Sequence, residues 1–442
     1  MDQLATLVSQ VKDFIWDNLL LYILILTGII FSIRLKFIQV RKFGEGMRRV
    51  FGGINLFGKH ADKDGMSSFQ ALATAIAAQV GTGNITGCAT ALLAGGPGAI
   101  FWMWLSAFFG MATIYGEAVL AQKFKTRSET GEVIGGPVYY IRQAFKGGFG
   151  KFLAGFFAVA IILALGLMGN MVQSNSIGDA FYNAFGVNKL IVGIIIAAIA
   201  AFIFLGGMKR IASVTEKVVP IMAALYIVGS LVVIIANIKN IPNVFYQIFV
   251  GAFNPTAVLG GAAGITVKAA MRFGVARGLF SNEGGMGSTP HAHAVAKVKY
   301  PAQQGLMGIV SVFIDTFIVL NMTALVIFVT GALDGTTTGI ALTQKAFSTG
   351  LGAFGIKFVA ICLFFFAFST VLGWNLFGKI NVIYLFGKKS PKLCTTIYTV
   401  VALIFIFLGP PMSNDLVWEL TDMFNNLMVI PNAIALFALT SV

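Results

Sequence analysis

A chain of 442 residues with 57% hydrophobic side chains and only 11% Asp, Glu, Lys or Arg lies far from soluble composition, where charged residues make up about 25%. That balance excludes a string of soluble domains and describes a polytopic membrane protein surrounded by lipid. The formal charge of +14 does not imply a nucleic-acid partner, because the basic residues sit in short loops between apolar runs, where they set topology.

Cys88, Cys362 and Cys394 are scattered through hydrophobic segments, which indicates neither a disulfide framework nor a metal cluster. Asp2, Lys12, Asp13 and Asp17 precede the first apolar run, the wrong charge layout for a cleaved signal peptide. Asn18 to Ile33, with Phe14, Ile15 and Trp16 as interfacial anchors, is the first span. Arg34, Lys36, Arg41, Lys42, Arg48, Arg49, Lys59 and Lys63 follow it, so this loop is cytoplasmic and the N-terminus lies outside.

No charge occurs from Gly65 to Gly116, room for two spans with a turn at Gly95-Gly96-Pro97-Gly98. The first of them, Ala71 to Asn84, reads ALATAIAAQVGTGN, and the chain is organised around it. Gly81 and Gly83 interrupt a hydrophobic helix and free backbone groups that hydrocarbon does not satisfy. One reading is an unwound helix whose amides and carbonyls around Thr82 and Gly83 hold an anionic group and a cation. The other is a glycine kink packed on a neighbour.

Uncharged runs then continue at Phe152 to Gly178, Leu190 to Met208 and Val218 to Ile238, and Ile241 to Thr256, with Pro242 and Pro255, reads as an outer loop. Ala257 to Ala296 is a second interrupted, glycine-rich segment. Spans follow at Tyr300 to Leu333, Phe358 to Lys379, Leu393 to Leu408 and Met423 to Val442, with Lys297, Lys299, Lys388, Lys389 and Lys392 on the cytoplasmic side. The expectation is an all-α bundle of about eleven spans. Residues 1–65 form an N-terminal helix and basic loop, 66–256 a first set of five helices, and 257–442 a second. Five being odd, the second set lies inverted, and paired interrupted helices at matching positions point to a transporter site.

Gly95-Gly96-Pro97-Gly98-Ala99-Ile100-Phe101-Trp102-Met103-Trp104-Leu105, with GTGN before it and Arg277-Gly278-Leu279-Phe280-Ser281-Asn282-Glu283 after it, resembles the alanine/glycine:cation symporter family over nearly the whole membrane domain. The resemblance implies the leucine-transporter fold, five plus five inverted helices with an added N-terminal helix. It also implies import of small neutral amino acids across the cell membrane, with sodium as the coupling ion and no cofactor. Thr82 and Gly83 fall where related transporters hold the substrate carboxylate. Alignment with the broader superfamily puts the second break at Phe273-Gly274-Val275; a rival position is Gly284-Gly285.

In that fold a hydroxyl pair binds sodium together with carbonyls of the first broken helix; here these are Ser369 and Thr370 with Ala77 and Val80. The alternative is that both hydroxyls bond their own helix one turn back. Trp374, one turn from Thr370, would border the pocket and favour alanine or glycine, or simply pack. Gln79, Asn170, Gln173, Phe273 and Gly274 complete the substrate set, though Asn170 and Gln173 also read as amides bonding another helix. Gln79 and Asn84 are candidates for a second cation site, and Arg277 with Glu283 for a gating pair.

Other chemistry is weakly signalled. Gly81, Gly83 and Gly87 miss the dinucleotide spacing, and Gly284 to Ser288 lacks a phosphate-loop lysine. His291 and His293 point to different helix faces, with only His60 to join them, so no further metal site is expected. Asp179 and Asp315, the deepest carboxylates, have no histidine near in sequence, and an enzyme is not expected. Proton-coupled transport, a channel and a membrane-embedded enzyme remain the alternatives to sodium symport.

Overall fold

A computed structural model describes residues 10, 13–52, 61–62, 64–259, 265–388 and 390–442. Asp2, Lys12, Lys59, His60, Lys63 and Lys389 lie outside the described residues, as do the side chains of Asp17 and Asn18. The described residues are mostly helical, as a backbone in hydrocarbon requires. The helices are α1 (Leu21–Arg34), α2 (Ile38–Arg41), α3 (Phe43–Gly52), α4 (Ser68–Gln79), α5 (Cys88–Gly95), α6 (Gly98–Lys123), α7 (Pro137–Ala144), α8 (Gly147–Ile161), α9 (Asn170–Phe185), α10 (Lys189–Phe204) and α11 (Gly207–Ala236). They continue as α12 (Ile241–Phe253), α13 (Pro255–Leu259), α14 (Val267–Asn282), α15 (Pro290–Ala294), α16 (Pro301–Val312), α17 (Asn321–Val329), α18 (Gly339–Leu351), α19 (Phe354–Phe386), α20 (Pro391–Leu408) and α21 (Asn414–Ala438). Wider π-helical turns fill Gly83–Gly87, Ile162–Gly169 and Phe313–Leu320, and a short hairpin of β1 (Thr126–Arg127) and β2 (Val133–Ile134) follows α6.

Six helical runs among the described residues are long and apolar enough to cross a membrane, and α1 and α10 are shorter apolar helices. Outward-facing Ile194, Ile195 and Phe202 of α10, Ile221 and Val232 of α11, and Ile397 and Val400 of α20 give these helices the apolar exterior that lipid solvates. Several helices outrun the uncharged stretches that announce them. Thus α19 takes in Lys357 and Lys379, and α21 begins before Met423 and includes Glu419 and Asp422. Hydropathy marks only the part of a helix that lies in hydrocarbon.

Two of the apolar segments are interrupted. A capping box starts α4: Ser67 Oγ accepts from the Gln70 amide and Gln70 Oε1 accepts from the Ser67 amide, satisfying two donors that helix ends leave open. The helix stops where Val80 turns extended (φ −81°, ψ 90°), and Gly81 and Thr82 lead into the π turn and α5. In the second segment α14 runs unbroken through Phe273-Gly274-Val275 to Asn282, so the break expected at Phe273 is corrected to residues 283–289, the rival position. Gly274 serves close approach instead: a Cβ there would lie 2.4 Å from the Ala99 carbonyl oxygen and 2.8 Å from Trp102. The glycines needed for backbone freedom are Gly285 and Gly287, at φ 94° and 81°.

Ile241 to Thr256, expected as a loop, is α12 and the start of α13. Pro242 and Pro255 sit in first turns, where no amide proton is needed. This helix explains the GGPG and FWMW run. Phe101 packs on Phe249 and Phe253, Trp102 on Phe253, and Trp104 on Phe249 and Phe245. The indoles donate to the Ala252 carbonyl (3.3 Å) and to Asn321 Oδ1 (2.8 Å).

Gly98 brings the two backbones together. A Cβ on it would sit 2.3 Å from the Gly251 oxygen and 2.4 Å from the Ala252 nitrogen, atoms that cannot move aside without shifting α12. Gly98→Ala is therefore expected to destabilise the protein by about 1–3 kcal/mol, the usual cost of overpacking. Thermal unfolding of the detergent-solubilised variant would register this as a lower midpoint; an unchanged midpoint would contradict the contact.

Candidate functional site

The two interruptions face one another. Gln79, at the end of α4, donates its side-chain amide to the Asn282 carbonyl at the end of α14 (2.7 Å). Gly83 is part of the same junction, since a Cβ on it would lie 3.0 Å from Ser281 Cα and 3.2 Å from the Phe280 ring. A bulky residue at Gly83 would thus part the two broken segments rather than fill open space.

At the first break the Gly81 amide donates to Asn84 Oδ1 (2.9 Å) and the Thr82 amide to Gln173 Oε1 (3.1 Å) on α9. Gln173 is therefore brought to the break. Asn170 instead donates to the Gly166 carbonyl of its own helical run (2.9 Å), neither the substrate contact nor the bond to another helix that the sequence suggested. Two buried oxygens here, Gln79 Oε1 and Thr82 Oγ1, have no hydrogen-bond partner among the described residues. Buried polar atoms are seldom left so. One can only accept; the other, a hydroxyl, can donate or accept.

Across the break lies α19. Thr370 Oγ1 is 2.8 Å from the Ala77 carbonyl oxygen, 3.3 Å from that of Val80 and 3.1 Å from that of Phe366. A hydroxyl has one proton to give, so three carbonyls around it are a surplus of hard oxygens, the donor type that alkali and alkaline-earth cations take. Gly81 leaves room for this approach: its Cβ would be 2.4 Å from Thr370 Oγ1. Ser369 does not join the set. Its Oγ bonds the Phe366 carbonyl (2.9 Å) and faces Met222 Sδ on α11 (3.4 Å), because successive helical residues point about 100° apart.

Trp374 is fully buried, edge-on to Phe280 (centroids 5.9 Å apart, planes at 85°). Its ring lies against Gly169, where a Cβ would come within 2.6 Å of it, and its Nε1 donates to the Glu283 carboxylate. Phe273 and Gly274 are not brought in; they pack farther back along α14, against Gly95 and against Ala99 and Trp102. Arg277 does not pair with Glu283. It forms a two-pronged pair with Asp422 of α21 (3.0 Å for each contact), with its guanidinium over Trp418 (4.7 Å).

Asp315 is the site residue that sequence reasoning undervalued. Fully buried on its π turn, it accepts from Asn84 Nδ2 (2.6 Å), Ser281 Oγ (3.0 Å) and Thr316 Oγ1 (2.9 Å). These groups link both breaks to one carboxylate. Of Gln79 and Asn84, read as candidates for a second cation site, Asn84 meets the Asp315 carboxylate, whereas Gln79 turns to Asn282. The signal was present in the sequence as a lone charge in the run from Tyr300 to Leu333, since an ionisable residue inside a membrane segment is a candidate functional residue.

Glu117 was missed as well. Its carboxylate on α6 accepts from the Gly285 (3.1 Å) and Gly287 (3.0 Å) amides and from Asn432 Nδ2 (2.6 Å), tying down the unwound segment. Asp179 pairs with Lys189 instead. His291 lies 2.8 Å from Asn381 Nδ2 and 2.7 Å from the Ser288 carbonyl; an amide NH2 only donates, so the ring proton belongs on Nδ1. His293 Nδ1 meets Gln304 Oε1 (2.8 Å). Both histidines are engaged in packing the second break.

The model of the sodium:alanine symporter family matches residues 1–442. A protein named sodium/alanine symporter from Methanococcus maripaludis is 42% identical over 446 residues, 99% of this chain and 95% of that one. A Bacillus subtilis protein named "probable sodium/glutamine symporter" is 41% identical over 440 residues, 99% of this chain and 89% of that one. Among solved structures, a manganese transporter of Eremococcus coleocola is similar with a TM-score of 0.53 and 14% identity, covering 84% of this chain and 75% of that one, a likeness of fold alone.

The Arg277 and Asp422 side chains are 13% and 14% exposed, so each relies on the other for most of its solvation. Asp422→Asn and Arg277→Gln are each expected to cost about 2 kcal/mol of stability, in the range for hydrogen bonds to charged groups. The double variant should lose less than their sum. Strictly additive shifts in the thermal midpoint would show the pair to be uncoupled.

Proposed function

This chain belongs to the sodium:alanine symporter family, and we propose that it imports small neutral amino acids, alanine and glycine, by alternating access. The coarser property, sodium-coupled amino-acid transport by a multi-pass membrane protein that is not an enzyme, comes with the family. The observation that carries the finer reading is the pair of orphaned oxygens at the first break. An amino acid is a zwitterion, and burying it requires partners for both ends. Gln79 Oε1 offers an acceptor to the ammonium. Thr82 Oγ1 offers a donor to the carboxylate, beside a half-helix start whose dipole favours an anion. Gln173 orients Thr82, and Trp374 with Phe280 walls off the space a side chain would occupy.

Sodium in this reading is a co-substrate held by the carbonyls of Ala77 and Val80 and by Thr370 Oγ1. Ser369 is left out, since its hydroxyl faces Met222. Asp315 with Asn84 and Ser281 is the anionic group beside the substrate, and it balances cationic charge there. The same proposal takes the chain as eleven spans with the N-terminus outside, residues 1–65 preceding a first set of five helices (66–256) and an inverted second set (257–442). Support for the inversion comes from the matching interruptions, one opening each set. A relative of similar identity bears a glutamine symporter's name, so side-chain size is the axis on which the substrate must be tested.

Purified protein in proteoliposomes should accumulate labelled alanine under an inward sodium gradient and not under a potassium gradient of the same size. Thr370→Ala removes an oxygen but little volume; it is expected to raise the sodium concentration for half-maximal uptake at least fivefold, with alanine affinity recovering at saturating sodium, since coupling is reciprocal. Ser369→Ala should leave that dependence within twofold of the parent. Sodium-independent uptake would overturn the coupling, and an unchanged sodium dependence in Thr370→Ala would overturn the assigned site.

A further inference from the structure

We propose that Glu283 is a positioning residue that sets the size limit of the amino-acid pocket by fixing the indole of Trp374. The inference deepens the substrate reading above and rests on it. Its starting point is a backbone outlier. Glu283 ends α14 at φ 56°, ψ 14°, the left-handed region that a side chain with a Cβ disfavours and that glycine adopts freely. Gly284, Gly285 and Gly287 lie within the next four positions, so glycine is the ordinary solution in this stretch. A glutamate held in such a conformation points to a use for its side chain.

That use is visible in its partners. Oε1 receives the Trp374 Nε1 proton and Oε2 the Ser288 hydroxyl proton (2.6 Å). Glu283 and Trp374 are buried to the same degree, so neither can turn to water. An indole has a single donor, and the carboxylate therefore fixes which way the ring lies. Retreat is blocked from behind, where the ring rests on the Gly169 backbone with no room for a Cβ, and Phe280 meets the ring edge-on. Phe280 in turn touches Gly83 of the first break. Packing on Gly169 and Phe280 limits how far the ring can retreat, and one hydrogen bond, to a residue in the left-handed region, fixes its rotation there.

The consequence is specific. Without the carboxylate the indole N–H is a buried donor with no fixed partner, and the ring is no longer held in one rotation between Gly169 and Phe280, which widens the space on its substrate side. Larger neutral amino acids, glutamine among them, would then be admitted, while the carboxylate and ammonium contacts at Thr82 and Gln79 persist. Loss of size discrimination, rather than loss of binding, is the signature that separates this role from a merely structural one.

The test is competition against labelled alanine by glycine, alanine, serine, glutamine and leucine, on the purified full-length protein in saturating sodium. Glu283→Gly removes the carboxylate and relieves the backbone; it is expected to keep alanine affinity within about tenfold while glutamine competes at least tenfold better. Trp374→Phe, which keeps a ring but loses the N–H, should shift the series in the same direction. Combining it with Glu283→Gly should add nothing further. Glu283→Gln keeps a carbonyl to accept the indole proton and should restore the parent's ranking. Equal weakening of all five competitors in Glu283→Gly, or an unchanged ranking there or in Trp374→Phe, overturns the proposal. If Glu283→Gly is not monodisperse, the contrast between Glu283→Gln and Trp374→Phe decides, since identical rankings in those two would also overturn it. A parent protein that binds none of the five amino acids would instead refute the substrate reading, so the two failures are distinguishable.

Discussion

Backbone groups released in the middle of a helix have no water to turn to inside a bilayer, and each one left unpaired is costly. Both interruptions in this chain are arranged around that constraint. At the first, the amides of Gly81 and Thr82 are taken by Asn84 and Gln173, while the Ala77 and Val80 carbonyls turn to Thr370. At the second, the amides of Gly285 and Gly287 are taken by the Glu117 carboxylate. Asn84 is local to its break, but Gln173, Thr370 and Glu117 come from elsewhere in the fold, and those side chains decide which helices must touch each break.

The same logic explains why buried acids cluster here. Glu117, Glu283 and Asp315 are all fully buried, and the bonds described above reach them from amides, hydroxyls and an indole rather than from lysine or arginine. Such donors orient a carboxylate without neutralising it. Glu117 spends its acceptors on two backbone amides and Asn432, Glu283 on Trp374 and Ser288, and Asp315 on side chains from both breaks and on Thr316 beside it. Among the described residues no lysine or arginine pairs with these three carboxylates, which marks the region as a candidate functional site.

Much of this was legible beforehand, and what was not has physical causes. The first break was readable because Gly81 and Gly83 interrupt an otherwise ideal apolar helix, and Thr370 does meet Ala77 and Val80. The second was misplaced because glycine has two uses that look alike in a sequence. Gly274 admits a neighbouring helix, whereas Gly285 and Gly287 take backbone angles closed to other residues. Ser369 and Thr370 were read as a pair, but neighbours on a helix diverge, and only one can face the break. Arg277 was matched with the acid nearest in sequence; its partner, Asp422, lies on α21, and no local pattern announces a contact of that range. The helix α12 was hidden by prolines that signal a loop in one position and a helix start in another.

One rigid element links these features. Thr370 and Trp374 stand one turn apart on α19, a helix that runs without interruption from Phe354 to Phe386. The first reaches the carbonyls of the first break, and the second is held by Glu283 at the edge of the second break. In the proposed reading, a cation held between Thr370 and the Ala77 and Val80 carbonyls bears on the same helix that carries Trp374. Packed helices pass strain to their neighbours, so the proposed reading couples cation binding at Thr370 to the position of Trp374. Reciprocity then follows: whatever the cation gains from a pocket closed on its amino acid, the amino acid gains from the cation.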